Sequence, residues 1–274
     1  MRNAFLSALT GLLALASLPA SAQETGLTSL ATSDQGRGWE AVGRLEMGRK
    51  SFCTGALIAP DLVLTAAHCL YEMDTGARVD VSGVEFRAGW RNGRAEAYRG
   101  VRRAVTHPDY VYEGRDQLDR VALDVALLQL DRPIRNIRVT PFDTADAPGA
   151  GDSVSVISYA QDRAEAPAYE SGCEVMERRG GVLMFTCSVD FGSSGAPIFT
   201  IGARGPQVAS VVSAKATMQG RPVALGTELE PVLSVLMEQL SSGGGALNPG
   251  GTVRFLGGGN SGERREIGAR FVKP

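Results

Sequence analysis

Ten short runs of β-branched and apolar residues, cut apart by Gly, Pro, Asp or Asn, leave this chain little choice but an all-β fold. They cover 39–46, 51–58, 62–65, 79–86, 98–106, 121–130, 153–159, 182–187, 196–201 and 207–216. Strands of this length with frequent turns between them predict a sandwich or a barrel. One segment breaks the pattern. In 228–240, Leu229, Val232, Leu233, Leu236 and Leu240 recur at helical spacing, and Ser241-Ser242-Gly243 ends the helix. From Gly243 onward 10 of 32 residues are glycine, around short apolar pieces at 252–256 and 270–272, which reads as a flexible appendage or a loosely docked hairpin. Two β-rich halves joined near 141–151 fit the same pattern.

Residues 1–22 read as a secretory signal peptide: a cation at Arg2, an apolar stretch over 4–18, then Pro19 and the small-residue cleavage pattern Ala20-Ser21-Ala22. Its removal leaves 252 of 274 residues, ample to bury a core without a metal. No later apolar run approaches the roughly 20 residues of a membrane helix. The expectation is therefore a secreted or periplasmic protein, with no stable membrane insertion after leader removal. A formal net charge of -2 lacks the basic footprint of a nucleic-acid binder, and 43% hydrophobic residues exclude a disordered chain. Export also changes how the four cysteines read, because outside the cytosol thiols are driven to disulfides. Four cysteines allow three pairings. Cys53 and Cys69 are sixteen positions apart and Cys173 and Cys187 fourteen, so pairing within each half closes two short loops. Each such loop stabilises by about 3 kcal/mol in the chain-entropy picture. With no Cys-x-x-Cys pair and only two histidines, no metal site is expected.

Three motifs carry potential chemistry. His68 ends the apolar run Leu64-Thr65-Ala66-Ala67 and precedes Cys69, whose disulfide would fix the backbone that carries the imidazole. Asp124 opens the apolar stretch Val125-Ala126-Leu127-Leu128, where a carboxylate is costly to bury unless a group such as an imidazole N–H donates to it. Asp116 and Asp119, in the polar stretch 115–120, read instead as solvated loop charges. Ser194 lies in Gly192-Ser193-Ser194-Gly195-Ala196-Pro197, whose small residues let backbone N–H groups approach a substrate carbonyl; by itself such a stretch is also an ordinary turn.

Together, the order His68, Asp124, Ser194 resembles the chymotrypsin/trypsin-fold serine endopeptidases, in their bacterial secreted branch. Thr65-Ala66-Ala67-His68-Cys69 matches the family's histidine motif, Asp124-Val125-Ala126-Leu127-Leu128 its aspartate motif, and the stretch around Ser194 its Gly-Asp-Ser-Gly-Gly-Pro. Ser213, nineteen residues past Ser194, matches the family's serine that contacts the catalytic aspartate. The resemblance covers 39–240 and implies two packed antiparallel six-stranded β-barrels with a C-terminal helix. It further implies a peptide or protein substrate, an acyl-enzyme at Ser194, an oxyanion hole from the N–H groups of Gly192 and Ser194, and no cofactor. The domain boundaries expected are 23–37 for an N-terminal segment or short propeptide, 38–242 for the trypsin-like domain and 243–274 for the tail, in a monomer. His107, in a His-Pro that the family often has on a surface loop, reads as structural or exposed.

Departures from the family limit what can be carried over. Ser193 replaces the aspartate that in the trypsin branch pairs with a new amino terminus, and no Ile-Val-Gly-Gly start occurs near 36–41. Activity is therefore expected not to need a buried N-terminal ammonium at this position. Around the specificity pocket, Ser188 stands six residues before Ser194 in place of an aspartate, which argues against strict Arg/Lys preference unless Asp190 intrudes. Val212 takes the position where glutamate-specific relatives carry a histidine. Lys215 narrows the pocket or attracts an acidic side chain, or else is a solvated lysine at a strand edge. A protease-fold binding protein with little or no turnover is the alternative reading. A serine esterase of another fold would need the order Ser, Asp, His, which this chain lacks.

Overall fold

The computed structural model describes residues 26–48, 51–112, 117–244 and 269–271. The signal peptide and the apolar piece at 252–256 lie outside the described residues. The first strand, β1 (Leu27–Ser29), precedes a barrel formed by β2 (Val42–Met47), β3 (Phe52–Ala59), β4 (Leu62–Thr65), β5 (Val84–Ala88), β6 (Ala97–Thr106) and β7 (Ala126–Leu130), closed in the order β2-β3-β4-β7-β6-β5. A second ring joins β8 (Ser153–Ser158), β9 (Ala168–Arg179), β10 (Val182–Phe185), β11 (Pro197–Gly202), β12 (Gly205–Met218) and β13 (Arg221–Glu228) in the order β8-β9-β10-β13-β12-β11. All of these pairings are antiparallel. Two strands are appended to the second ring: β1 on β9, and β14 (Ala269–Phe271) on β12. The fold is thus the all-β double barrel that the resemblance implied, with helix α1 (Gln117–Ala122) before β7 and α2 (Leu229–Ser241) after β13.

Closure lets each strand turn one face to a dry interior and leaves no long open edge. Leu45, Leu57, Leu64, Phe86 and Leu127 are fully buried in the first barrel, and Val156, Leu183, Phe185 and Ile198 in the second. The seam between the barrels is aromatic: Trp39 packs against Phe142, Tyr169 and Phe199 at ring separations of 5.9, 5.5 and 5.1 Å. Both disulfides are present, Cys53–Cys69 and Cys173–Cys187. No helix among the described residues is long and apolar enough to cross a membrane.

Several sequence expectations need correction. The run 121–130 is not one strand: Val121 and Ala122 belong to α1, Asp124 N–H turns back to the Val121 carbonyl, and β7 starts only at Ala126. Asp119 accordingly sits on α1 and not in a loop, while Asp116 lies outside the described residues. Strand β5 begins at Val84, because Asp80 accepts the Ser82 N–H at 2.9 Å and winds Val81–Gly83 into a 3-10 turn. Sequence reading missed β9 and β13. The first alternates buried Ala168, Cys173 and Val175 with exposed Ser171, Gly172 and Glu174; the second opens on Arg221-Pro222 and has only the three-residue apolar piece Val223-Ala224-Leu225 before Gly226.

Candidate active site

The register of β4 on β7 assembles the first half of the site. Thr65 pairs with Ala126, so the chain leaving β4 and the chain entering β7 meet at the same barrel end. Immediately after Thr65, the 3-10 turn Ala67–Leu70 carries His68, and Cys69 within it is bridged to Cys53 on β3. His68 donates its backbone N–H to Asp124 Oδ1 at 2.8 Å and its ring Nδ1–H to Oδ2 at 2.7 Å. From the second barrel Ser213 donates its hydroxyl to the same Oδ2. Asp124 is 1% exposed. Burial alone would push this carboxyl up, but the His68 charge, the ring, the Ser213 hydroxyl and the His68 backbone N–H together hold it below the usual carboxylate range. The Tyr110 hydroxyl, also buried, lacks a partner in good hydrogen-bond geometry among the described residues. Burial and then the nearby Asp124 charge keep that phenol protonated far above its ordinary range.

The second half is the loop between β10 and β11, and Thr54 of β3 fastens it to the first barrel. Thr54 N–H donates to the Ser194 carbonyl at 2.8 Å, and its hydroxyl donates to the Gly192 carbonyl at 2.9 Å while accepting the Tyr159 N–H at 3.1 Å. Gly195, at φ +78°, is pressed so close that a Cβ would collide with Thr65 Oγ1 and the Thr54 carbonyl. The docking therefore requires a glycine twice over, for φ and for space. With the carbonyls held this way, the amides can be followed one by one. Asp190 N–H goes to Ser193 Oγ, Phe191 N–H to Asp190 Oδ1, Ser193 N–H to the Asp190 carbonyl, Gly195 N–H to the Val212 carbonyl and Ala196 N–H to the Ser193 carbonyl. Within 190–196, Gly192 and Ser194 are the two residues whose N–H has no acceptor among the described residues. Two such donors, one on the serine itself and one two residues before it, can receive an oxyanion. The Ser194 hydroxyl makes no hydrogen bond to the imidazole in this structure. Contacts of that kind often stay long until substrate is bound.

The remaining sequence-predicted positions surround this loop. Ser193, fully buried, bonds the Tyr159 carbonyl at 3.3 Å and receives Arg163 Nη2 at 3.4 Å, and that guanidinium also reaches Ser158 Oγ at 2.8 Å. An internal cation thus lies against the hydroxyl that replaces the family's aspartate. Val212 is buried among the apolar side chains of the second barrel. Lys215 is ion-paired with Asp190 at 3.6 Å. His107 stands apart, its Nδ1 accepting the Asp109 N–H at 3.2 Å. Ser188 gives its N–H and hydroxyl to Glu170 at 2.7 and 3.1 Å. Glu170, buried on β9, was missed from sequence, as were Thr54, Tyr110 and Arg163. The only local signal was for Thr54, which follows Cys53. Nothing about Glu170 in the sequence distinguishes it from the exposed acids on its strand.

Comparison with known proteins agrees with the double-barrel fold. The family model described as Trypsin matches residues 31–234. A trypsin from Phaedon cochleariae is 35% identical over 105 residues, covering 38% of this chain and 36% of that protein. A modular serine protease from Drosophila melanogaster is 37% identical over 116 residues, covering 37% and 18%. A glutamyl endopeptidase from Bacillus licheniformis is 23% identical over 148 residues, covering 54% and 45%. The matches thus span less than half the length of each of these relatives. A solved Glu endopeptidase structure, in complex with MPD, superposes with a TM-score of 0.66 at 18% identity, over 80% of this chain and 98% of that one. By the match across most of its length, and by the two barrels that carry it, this chain belongs to the trypsin family of serine proteases.

Proposed function

We propose that the protein is a secreted serine endopeptidase in which Ser194, His68 and Asp124 form the catalytic triad. The observation that carries this reading is the chain of hydrogen bonds from Ser213 through Asp124 to His68, in a barrel whose Thr54 also holds the Ser194 loop, where the N–H groups of Gly192 and Ser194 have no acceptor among the described residues. Asp124 fixes the imidazole with Nδ1 protonated, so Nε2 is the basic nitrogen. It accepts the Ser194 hydroxyl proton as Oγ attacks the peptide carbonyl. The oxyanion of the tetrahedral intermediate takes the N–H groups of Gly192 and Ser194; one such donor lowers the barrier by about 3 kcal/mol. His68 then passes the proton to the leaving amine. Water, deprotonated by the same imidazole, releases the acyl group and restores Ser194. The Asp124 carboxylate steadies the imidazolium in both steps and stays ionised because three donors converge on it.

Two disulfides support export, and the domain reading remains 1–22 signal peptide, 38–242 protease domain and 243–274 tail. The described part of 23–37 does not hang free, since β1 pairs with β9 and Leu30 is buried. A fluorophosphonate probe tests the proposal. Labelling of the protein but not of Ser194→Ala is expected; absence of labelling in both, with the fold intact by circular dichroism, would favour a protease-fold binding protein instead.

A further inference from the structure

Charge is distributed unevenly over this chain. Its formal net charge is -2, yet 91–103 and 131–138 together hold eight arginines against two acids, Glu96 and Asp131. The fold brings the two segments side by side. Loop 131–138 leaves β7 and runs along β6: Asp131 N–H donates to the Gly100 carbonyl at 2.8 Å and Asn136 Nδ2 to the Glu96 carbonyl at 3.3 Å. In return Arg99 gives Nε to the Arg132 carbonyl and Nη2 to the Pro133 carbonyl, at 3.2 and 3.3 Å. Acids neutralise only part of this charge. Glu96 takes Arg138 at 2.5 Å and the buried Arg91 at 3.4 Å, and Arg132 lies 4.0 Å from Asp131. Arg99 has carbonyl acceptors alone, and the exposed Arg94, Arg102 and Arg135 have no acid partner among the described residues. Glu85, opposite Gly100 on β5, is already held by Arg87 at 2.7 Å.

Apolar side chains stand among these arginines. Ile137 is 96% exposed, more than any other large apolar side chain of the described residues, and Tyr98 on β6 is 41% exposed. The turn that presents Ile137 is held by Arg138 N–H on Asn136 Oδ1 at 3.1 Å and by Val139 N–H on the Asn136 carbonyl at 3.0 Å. We infer that the surface of 91–103 and 131–138 is a docking site, remote from the triad, for an acidic stretch of a polypeptide substrate that carries an apolar residue. Carboxylates of that stretch meet the uncompensated guanidiniums, whose planar forks match them, and its apolar side chain covers Ile137. A sulfated sugar chain or a nucleic-acid backbone satisfies the arginines equally but leaves Ile137 in water. Position separates this surface from the cleft. Strand β7 starts at Ala126, two residues past Asp124, and the chain reaches Asp131 roughly 16 Å farther on at about 3.3 Å per residue. The surface therefore governs which substrate is held, not which bond is cut.

The inference rests on the endopeptidase reading for its consequence, a substrate held during cleavage, but not for its test. The full chain carrying Ser194→Ala, which cannot cleave through that serine, is titrated by fluorescence anisotropy with a dye-labelled peptide of four glutamates on either side of one leucine. Arg132→Glu combined with Arg135→Glu changes two exposed side chains whose one acid contact is Arg132 with Asp131. This double variant is expected to bind the peptide at least about tenfold more weakly, and Ile137→Ser several-fold more weakly. Binding should fall steeply as salt rises from about 50 to 200 mM, and less steeply in the double variant. In the active chain, the double variant should raise KM several-fold for a substrate bearing that acidic stretch away from its cleavage site, with kcat and the hydrolysis of a short ester unchanged. Equal peptide binding with and without the two arginines, or no binding at all, would overturn the docking site. Equal affinity for a peptide with serine in place of leucine would reduce it to a general polyanion surface and overturn the polypeptide assignment. If the active chain is not labelled by fluorophosphonate, the endopeptidase reading fails, while the anisotropy result still decides the surface.

Discussion

Replacing Thr54 by valine keeps the shape of a fully buried side chain and deletes one hydroxyl that serves two partners. The Gly192 carbonyl loses a donor at 2.9 Å and the Tyr159 N–H loses an acceptor at 3.1 Å. Both groups lie where water has little access, and an unsatisfied buried polar group costs about 1–3 kcal/mol. Thr54→Val should therefore lower stability by about 2–4 kcal/mol, less whatever the loop recovers by shifting. Catalysis should fall as well, because the Gly192 carbonyl belongs to the peptide unit preceding Ser193 and helps fix the unpaired donors. A misplaced oxyanion donor reduces kcat by on the order of 10²-fold. Urea unfolding gives the stability, and ester hydrolysis well below the unfolding transition gives kcat and KM. Thr54→Ser, which keeps the hydroxyl, should recover most of both losses. A Thr54→Val protein within 0.5 kcal/mol of wild type, with wild-type kcat, would refute the view that this hydroxyl fastens the nucleophile loop to the first barrel.

Asp124→Asn should leave the fold intact yet reduce kcat by on the order of 10⁴, because the amide favours the wrong imidazole tautomer; an effect under tenfold would argue against that role. The Asp124 carboxyl is depressed in the folded state, so its ionisation adds stability above the unfolded value of about 3.9, and this is lost as pH falls through the folded value. Urea midpoints measured between neutral and strongly acid pH should fall more steeply for wild type than for Asp124→Asn; parallel curves would contradict this. Glu170→Ala removes the acceptor of both the Ser188 N–H at 2.7 Å and the Ser188 hydroxyl at 3.1 Å, so stability should fall by about 1–3 kcal/mol. An unchanged urea midpoint would show that Glu170 does not hold Ser188 in place. A chain starting at Gln23 should be fully active, whereas one starting at Gly38 lacks β1; a large activity gain confined to the Gly38 start would show that a new amino terminus is needed.

Much of the architecture was legible because apolar runs mark strands that are buried along their length. β4 and β8, with nearly every residue inside, were found almost to the residue; β9, half exposed and charged, was not. The site divides in a similar way. His68, Asp124 and Ser194 lie in motifs whose local sequence is unusual for their chemistry: an imidazole beside a bridged cysteine, a carboxylate entering an apolar strand, a serine among small residues. Thr54, Arg163, Tyr110 and Glu170 act on partners 138, 30, 14 and 18 residues away, at Gly192, Ser193, Asp124 and Ser188, and only closure of the barrels brings them there. The Asp124 segment shows both effects, since the same residue that revealed the chemistry also ended a strand that had been drawn through it.

A crystal structure of the fluorophosphonate adduct tests the convergence of Ser194 with His68 most directly. The account predicts phosphorus bonded to Ser194 Oγ, a phosphoryl oxygen about 2.7–3.1 Å from the N–H groups of both Gly192 and Ser194, and the His68 ring facing the adduct while still bonded to Asp124. An adduct on another residue, or one on Ser194 whose oxygen points to solvent with those two amides still unpaired, would contradict it.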